Sequence, residues 1–152
     1  MAHELMNTLR HDHQEVKDIF KKMVKSSNES HRRELCNSLR EEILPHMEGE
    51  ERHIYPSLMS TKEAKADSLE SLEEHKAAQT VLNELVEMDP SDERFIAKAK
   101  VLREMIEHHI KEEEDKIFDH LEDMKSDSEL DDLLKQFNQT KEQTKSDITA
   151  TA

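Results

Sequence analysis

Apolar residues recur at spacings of three and four along four long stretches of this chain, which are separated by short breaks rich in Ser, Asn, Asp and Pro. This spacing places the apolar side chains on one face of a helix, and that face must be buried. The 152 residues include one Gly and three Pro, so few sharp turns are available. We therefore predict an all-α fold, an up-down-up-down four-helix bundle.

The breaks in the pattern set the expected boundaries. The four helices are expected at about 4–25, 31–54, 61–87 and 92–124. We assign the bundle to residues 1–125 and a short C-terminal helix to 126–137. The stretch 138–152 is rich in Thr, Gln, Lys and Ser and is predicted to be a disordered tail.

The overall charge restricts the partners of the chain. Its 36 acidic and 22 basic residues give a formal net charge of −14, which repels phosphate backbones, so we expect no nucleic-acid partner. No apolar run approaches the about 20 residues of a membrane span, so we expect no membrane association. Cys36 is the single cysteine and excludes an internal disulfide, which fits a cytoplasmic location.

Polar residues interrupt each apolar stripe at a position where a core residue is expected. Each helix places one histidine inward, and the second and fourth helices add a glutamate one turn later. A buried carboxylate without a partner costs several kcal/mol, whereas a bound cation makes the same group favourable. The candidate metal ligands are His13, His46, Glu50, His75, His109 and Glu113.

The second half of the chain repeats the first. The segment HMEGEERHIYP, residues 46–56, aligns with HIKEEEDKIFD, residues 109–119, at an offset of 63. An acidic residue followed by histidine at 12–13 matches the same pair at 74–75, at an offset of 62. Two similar helical hairpins facing each other build a pseudo-two-fold site. Such a site suits two metal ions bridged by two carboxylates.

The ordered motifs resemble the hemerythrin-like (HHE cation-binding) family. The likeness is carried by HDH at 11–13, EERHIYP at 50–56, EEH at 73–75 and HHIKEEEDKIF at 108–118. The resemblance implies a non-haem di-iron centre with two Fe ions, an oxo or hydroxo bridge and both glutamates bridging. It further implies that His13 and His46 serve one iron, and that His75 and His109 serve the other.

The same resemblance implies a function. Oxygen-carrying members place a second histidine one turn after the third-helix ligand, where this chain has Gln79. We therefore expect an open iron position that binds dioxygen, NO or peroxide, in oxygen, redox or nitrosative stress sensing or response, with a redox or signalling protein as possible partner. The alternatives are an enzyme that decomposes peroxide or NO, an iron donor for cluster repair, and a zinc-stabilised bundle without catalysis.

The remaining candidates receive weaker assignments. His53 follows the His46 stripe and is a possible supporting or spare ligand, while Glu51 and Glu114 are expected to face outward or to support a ligand. Tyr55, the single tyrosine, is expected to be a packing residue. Histidines elsewhere are expected at the surface, and these are His3, His11, His31 and His108.

Overall fold

The computed structural model describes residues 3–150, in which all regular structure is helical. The helices are α1 (Glu4–Lys25), α2 (Glu29–Gly49), α3 (Lys62–Glu87), α4 (Phe95–Glu112), α5 (Phe118–Met124) and α6 (Asp127–Ala150). A π-helical turn (Glu50–Ile54) and a 3₁₀ turn (Tyr55–Leu58) extend α2, and a second π-helical turn (Glu113–Ile117) joins α4 to α5. The predicted all-α architecture is confirmed. No helix in this range has the length and hydropathy needed to cross a membrane.

Side chains cap the first three helices at positions close to the predicted boundaries. The ring of His3 accepts a hydrogen bond from the Leu5 backbone N–H, so this histidine caps α1 and is not a free surface residue. Asn28 caps α2 and Thr61 caps α3 in the same way. Each cap satisfies a backbone N–H that a helix start leaves without a partner.

The buried apolar residues form two clusters at opposite ends of the bundle. One contains Phe20, Leu39 and Leu102, and the other contains Leu9 and Ile117. The residues that interrupt the apolar stripes lie between the two clusters along the chain. His13, for example, falls between Leu9 of one cluster and Phe20 of the other. The hydrophobic core is therefore divided by a polar layer.

The prediction of a short helix at 126–137 followed by a disordered tail at 138–152 is wrong for the described residues of the C-terminal region. Helix α6 runs without interruption to Ala150, while residues 151 and 152 lie outside the described range. It packs against α1, α2 and the first π-helical turn, and buries Phe137 completely. Polar composition favoured disorder, but tertiary contacts outweigh local propensity in this segment.

Gly49, the single glycine of the chain, lies where α2 meets α6. Its backbone is helical, so no unusual dihedral requires glycine here. A Cβ atom at this position would lie 2.6 Å from Cδ2 of Phe137. Glycine therefore allows the Phe137 ring to contact the α2 backbone.

We expect Gly49→Ala to lower the free energy of unfolding by about 1–3 kcal/mol, because the new methyl group overpacks the contact with Phe137. In an open helix the same change would stabilise the protein by about 1 kcal/mol, so the sign of the effect is decisive. Chemical denaturation of both proteins measures it. Adding Phe137→Leu to the alanine variant should recover part of the loss, whereas an alanine variant at least as stable as the parent would contradict the close approach.

Candidate metal centre

All six predicted ligands meet in the polar layer between the two apolar clusters. None is more than 6% exposed, and both glutamates are fully buried. The donor atoms form two groups, each with all its atoms within 4.8 Å of one another. One group combines His13 and His46 with both glutamates, and the other combines His75 and His109 with the same two glutamates.

Glu50 and Glu113 each reach a histidine from both hairpins. Oε1 of Glu50 lies 3.2 Å from Nε2 of His46 and 3.2 Å from Nε2 of His75. The carboxylate of Glu113 lies 3.5 Å from Nε2 of His13 and 3.1 Å from Nε2 of His109. Two donors at right angles around an ion about 2.1 Å away are roughly 3.0 Å apart. These spacings fit two ions that share both carboxylates.

Several atoms of the cluster are buried without a hydrogen-bond partner in the described chain. They are His13 Nε2, His46 Nε2, Glu113 Oε1 and both carboxylate oxygens of Glu50. Nε2 of His75 and Nε2 of His109 face each other at 3.0 Å. Neutral imidazoles that donate through Nδ1 would direct two lone pairs at each other there, which requires a proton or a cation between them. The donor set therefore fits metal binding.

Each ligand histidine has a carboxylate on its other ring nitrogen. The pairs through Nδ1 are His13 with Glu114 at 2.8 Å, His46 with Asp12 at 2.9 Å, His75 with Glu51 at 3.2 Å and His109 with Glu74 at 2.9 Å. A carboxylate at Nδ1 fixes the tautomer, directs the Nε2 lone pair at the ion and raises ligand basicity. The support is arranged with the same pseudo-two-fold symmetry as the ligands.

Electrostatics in the cluster favour protons when no metal is bound. Burial opposes charge on His109, but its hydrogen bonds to Glu113 and Glu74 and the surrounding negative charge raise its pKa to about 10. Hydrogen bonds from histidine lower the pKa of both Glu74 and Glu114. Burial also opposes ionisation of Glu113, yet the adjacent Glu50 carboxyl and the nearby imidazoles of His109 and His13 hold its pKa well below the usual range.

Both glutamates begin a π-helical turn. The backbone N–H of Tyr55 bonds to the carbonyl of Glu50, and that of Phe118 bonds to the carbonyl of Glu113, each five residues apart. Four residues of an α-helix rotate about 400°, so repeated spacings of four drift off one face. The wider turn removes this drift and keeps the glutamate and the following isoleucine facing inward.

The spacing of inward-facing residues in the sequence is itself a signal for these turns. Inward positions follow spacings of four three times in succession, at 46, 50, 54 and 58 and again at 109, 113, 117 and 121. A regular α-helix would need an intervening spacing of three. Asp12 and Glu74, which we noted only as repeated neighbours of a histidine, prove to support the ligands.

Tyr55 was expected to be a packing residue, but its hydroxyl also contacts two candidate ligands. Its buried hydroxyl donates a hydrogen bond to Oε2 of Glu113 at 2.8 Å and lies 3.2 Å from Nε2 of His75. Burial and the negative charges of Glu113 and Glu50 raise its pKa well above the usual value, so it keeps its proton. Phe118 holds the equivalent place in the second hairpin and stacks near His13. The cluster therefore has a hydroxyl donor in one half and a plain ring in the other.

The remaining candidates lie around the centre rather than in it. Nε2 of His53 forms a hydrogen bond with Oγ1 of Thr140 in α6 at 2.7 Å. His53 belongs to neither ligand group. The amide nitrogen of Gln79 donates to Sδ of Met47 and to Oε2 of Glu51, both at 3.4 Å. Gln79 therefore contacts a carboxylate that supports His75.

Comparison with known proteins gives one family. Residues 4–121 match the model of the hemerythrin HHE cation binding domain. The solved structure of a hemerythrin HHE cation binding domain-containing protein from Mycobacterium kansasii has the same fold, with a TM-score of 0.82 and 22% identity, covering 97% of this chain and 90% of that one. A DNA nickase from Nostoc sp. is 23% identical over 114 residues, or 75% of this chain. The match spans 32% of the nickase, about a third of its length.

Metal loading of the metal-free protein at pH 7 should release at least one proton per chain. His109 has a raised pKa of about 10, so it is protonated near neutral pH and must lose that proton to act as a ligand. The proton stabilises the metal-free fold below about pH 6.5, and this contribution is lost as the pH rises towards 10. Apparent metal affinity should accordingly increase over the same range.

Calorimetric titration in two buffers of different ionisation enthalpy measures the protons released. The difference in apparent binding enthalpy gives the proton count directly. Equal enthalpies in both buffers, with affinity independent of pH, would show that the histidine is already neutral in the metal-free protein.

Proposed function

The chain belongs to the hemerythrin HHE cation-binding family, and we propose that it holds two iron ions, each bound by two histidines and sharing both buried glutamates. His13 and His46 would hold one ion, and His75 and His109 the other. The observation that carries this proposal is the pair of ligand groups with Glu50 and Glu113 in common. A single-ion site would leave half of the histidines without a role.

We propose that a small ligand such as dioxygen, NO or peroxide binds beside the ions. A bound iron pair supplies an open coordination position and electrons for such a ligand. A cavity of about 20 Å³ adjoins the four histidines, and its apolar wall includes Val16, Ile43, Ile106 and Ile110. One water needs about 10–15 Å³, so a cavity of this size excludes large ligands. The apolar wall limits access of water.

The physiological role that we propose is sensing of, or response to, oxygen, redox or nitrosative stress in the cytoplasm, with a protein partner to receive the signal. An enzyme that decomposes peroxide or NO at the same centre is the second candidate. Tyr55 favours it, because its hydroxyl is a hydrogen-bond donor held beside Glu113 and His75 and could orient a bound small molecule. Catalytic turnover well above that of free iron distinguishes this enzyme from a reversible binder.

We do not propose DNA nicking for this chain. The similarity covers about a third of the nickase. The formal net charge of −14 also opposes approach to a phosphate backbone.

Metal analysis and a visible spectrum test the proposed centre. Protein purified without added zinc should carry near two irons per chain, with charge-transfer bands that change on reduction and on adding azide or NO. Glu50→Ala or Glu113→Ala should lose most of the iron, because each removes a carboxylate shared by both ligand groups. Asp115→Ala removes the same charge from an exposed neighbour and should keep both irons. Parent protein that binds zinc in preference and shows no such bands would overturn the iron assignment.

Gln79→His tests the open position. An imidazole one turn after His75 would add a nitrogen donor to that half of the centre. We expect the oxygen complex of this variant to have a longer lifetime, measured by stopped-flow absorbance of the reduced protein mixed with oxygen. Gln79→Leu, which removes the amide without adding a donor, is the matched control. A lifetime unchanged from that of the parent would show that position 79 does not control the open site.

A further inference from the structure

Helix α6 has no counterpart in the internal repeat, and it touches the centre from one side. Its Phe137 ring lies 5.6 Å from the ring of His46, and Thr140 hydrogen-bonds to His53. Lys141 donates to Oδ1 of Asp12 at 2.6 Å. All three contacts fall on the first hairpin or the π-helical turn that follows it.

The Lys141 contact continues to the metal centre. Asp12 is 2% exposed, and its second oxygen accepts a hydrogen bond from Nδ1 of His46 at 2.9 Å. An ammonium group, a carboxylate and an imidazole therefore form a continuous chain that ends at Nε2 of His46, a member of one ligand group.

The equivalent chain in the second hairpin lacks the cation. Glu74 accepts from Nδ1 of His109 and is 20% exposed, and its other ion-pair partner is the exposed His108 at 3.7 Å. Within residues 3–150, no lysine or arginine pairs with Glu74 or with Glu51. Around His13 and His46, by contrast, the other supporting carboxylate, that of Glu114, also has a cation, Arg10 at 3.9 Å.

We propose that Lys141 makes the two metal positions unequal, so that the ion between His75 and His109 binds first and the ion between His13 and His46 is held more weakly and exchanges first. This inference rests on the proposed two-ion centre. An ammonium group that shares Asp12 weakens the support that this carboxylate gives to His46. Its positive charge also repels a nearby cation, and because this repulsion weakens with distance it acts more on an ion held by His46 than on one held by His75 and His109.

Titration of the metal-free full chain with Co²⁺ under anaerobic conditions tests the proposal by calorimetry and visible absorbance. The parent should bind two ions in two resolved steps, with affinities at least tenfold apart. His46→Gln should remove the weaker step and leave the stronger one, which assigns the steps to positions. Lys141→Met keeps the length of the side chain without its charge and should tighten the weaker step roughly tenfold, with the stronger step changed less than twofold.

A matched control is available on the same helix. Lys145 lies one turn after Lys141 and pairs with Glu42 at 3.9 Å, away from the ligands. Lys145→Met removes the same charge and should leave both steps unchanged. If Lys141→Met does not fold, Lys141→Gln provides the same test with a polar replacement.

The outcomes separate this inference from the proposed function. Two ions bound with equal affinities in the parent, or affinities that Lys141→Met and Lys141→Gln leave unchanged, would overturn the role of Lys141 while the two-ion centre stands. A weaker step that becomes weaker still would also overturn it, because Lys141 would then act by orienting Asp12. Binding of a single ion by the parent would overturn the two-ion centre together with the inference.

Discussion

Two fully buried glutamates lie close together in the middle of this bundle, and the surrounding structure is organised to keep them there. Two carboxylates in a low-dielectric interior repel each other and lose their hydration, so they require cationic partners. Four imidazoles surround them, and four further carboxylates fix those imidazoles from behind. The two apolar clusters on either side of this polar layer exclude water from it. Their burial stabilises the fold, which the polar layer does little to do.

The four-helix bundle and the six converging ligands were predictable from the sequence, because both follow from helical periodicity. Stripe positions occupied by His13 or Glu113 face the core whatever surrounds them. The course of α6 was not predictable in the same way, because Lys141 and Thr140 are ordinary polar residues until the fold places them against Asp12 and His53. Composition describes how a segment behaves alone, whereas the order of this segment depends on contacts with residues far away in sequence.

The internal repeat provides a symmetric backbone on which the side chains differ. Tyr55 and Phe118 occupy equivalent places, yet one donates to a carboxylate shared by both ligand groups and the other only stacks. The paired π-helical turns show how closely the backbone itself is repeated, since each begins at a glutamate that both ligand groups share. Chemical differences between the two halves therefore arise from differing side chains and from the contacts of α6. The π-helical turn of the backbone is the same in both halves.

Two of the four hydrogen bonds behind the candidate ligands cross between the hairpins. Glu114 of the second hairpin holds His13 of the first, and Glu51 of the first holds His75 of the second. Neither half can therefore complete its own set of supporting hydrogen bonds, and an isolated hairpin would need to meet a second copy of itself. Tethering both halves in one chain replaces that encounter with an intramolecular one, at an effective concentration of the order of millimolar. Assembly of the centre then no longer depends on how much protein the cell makes.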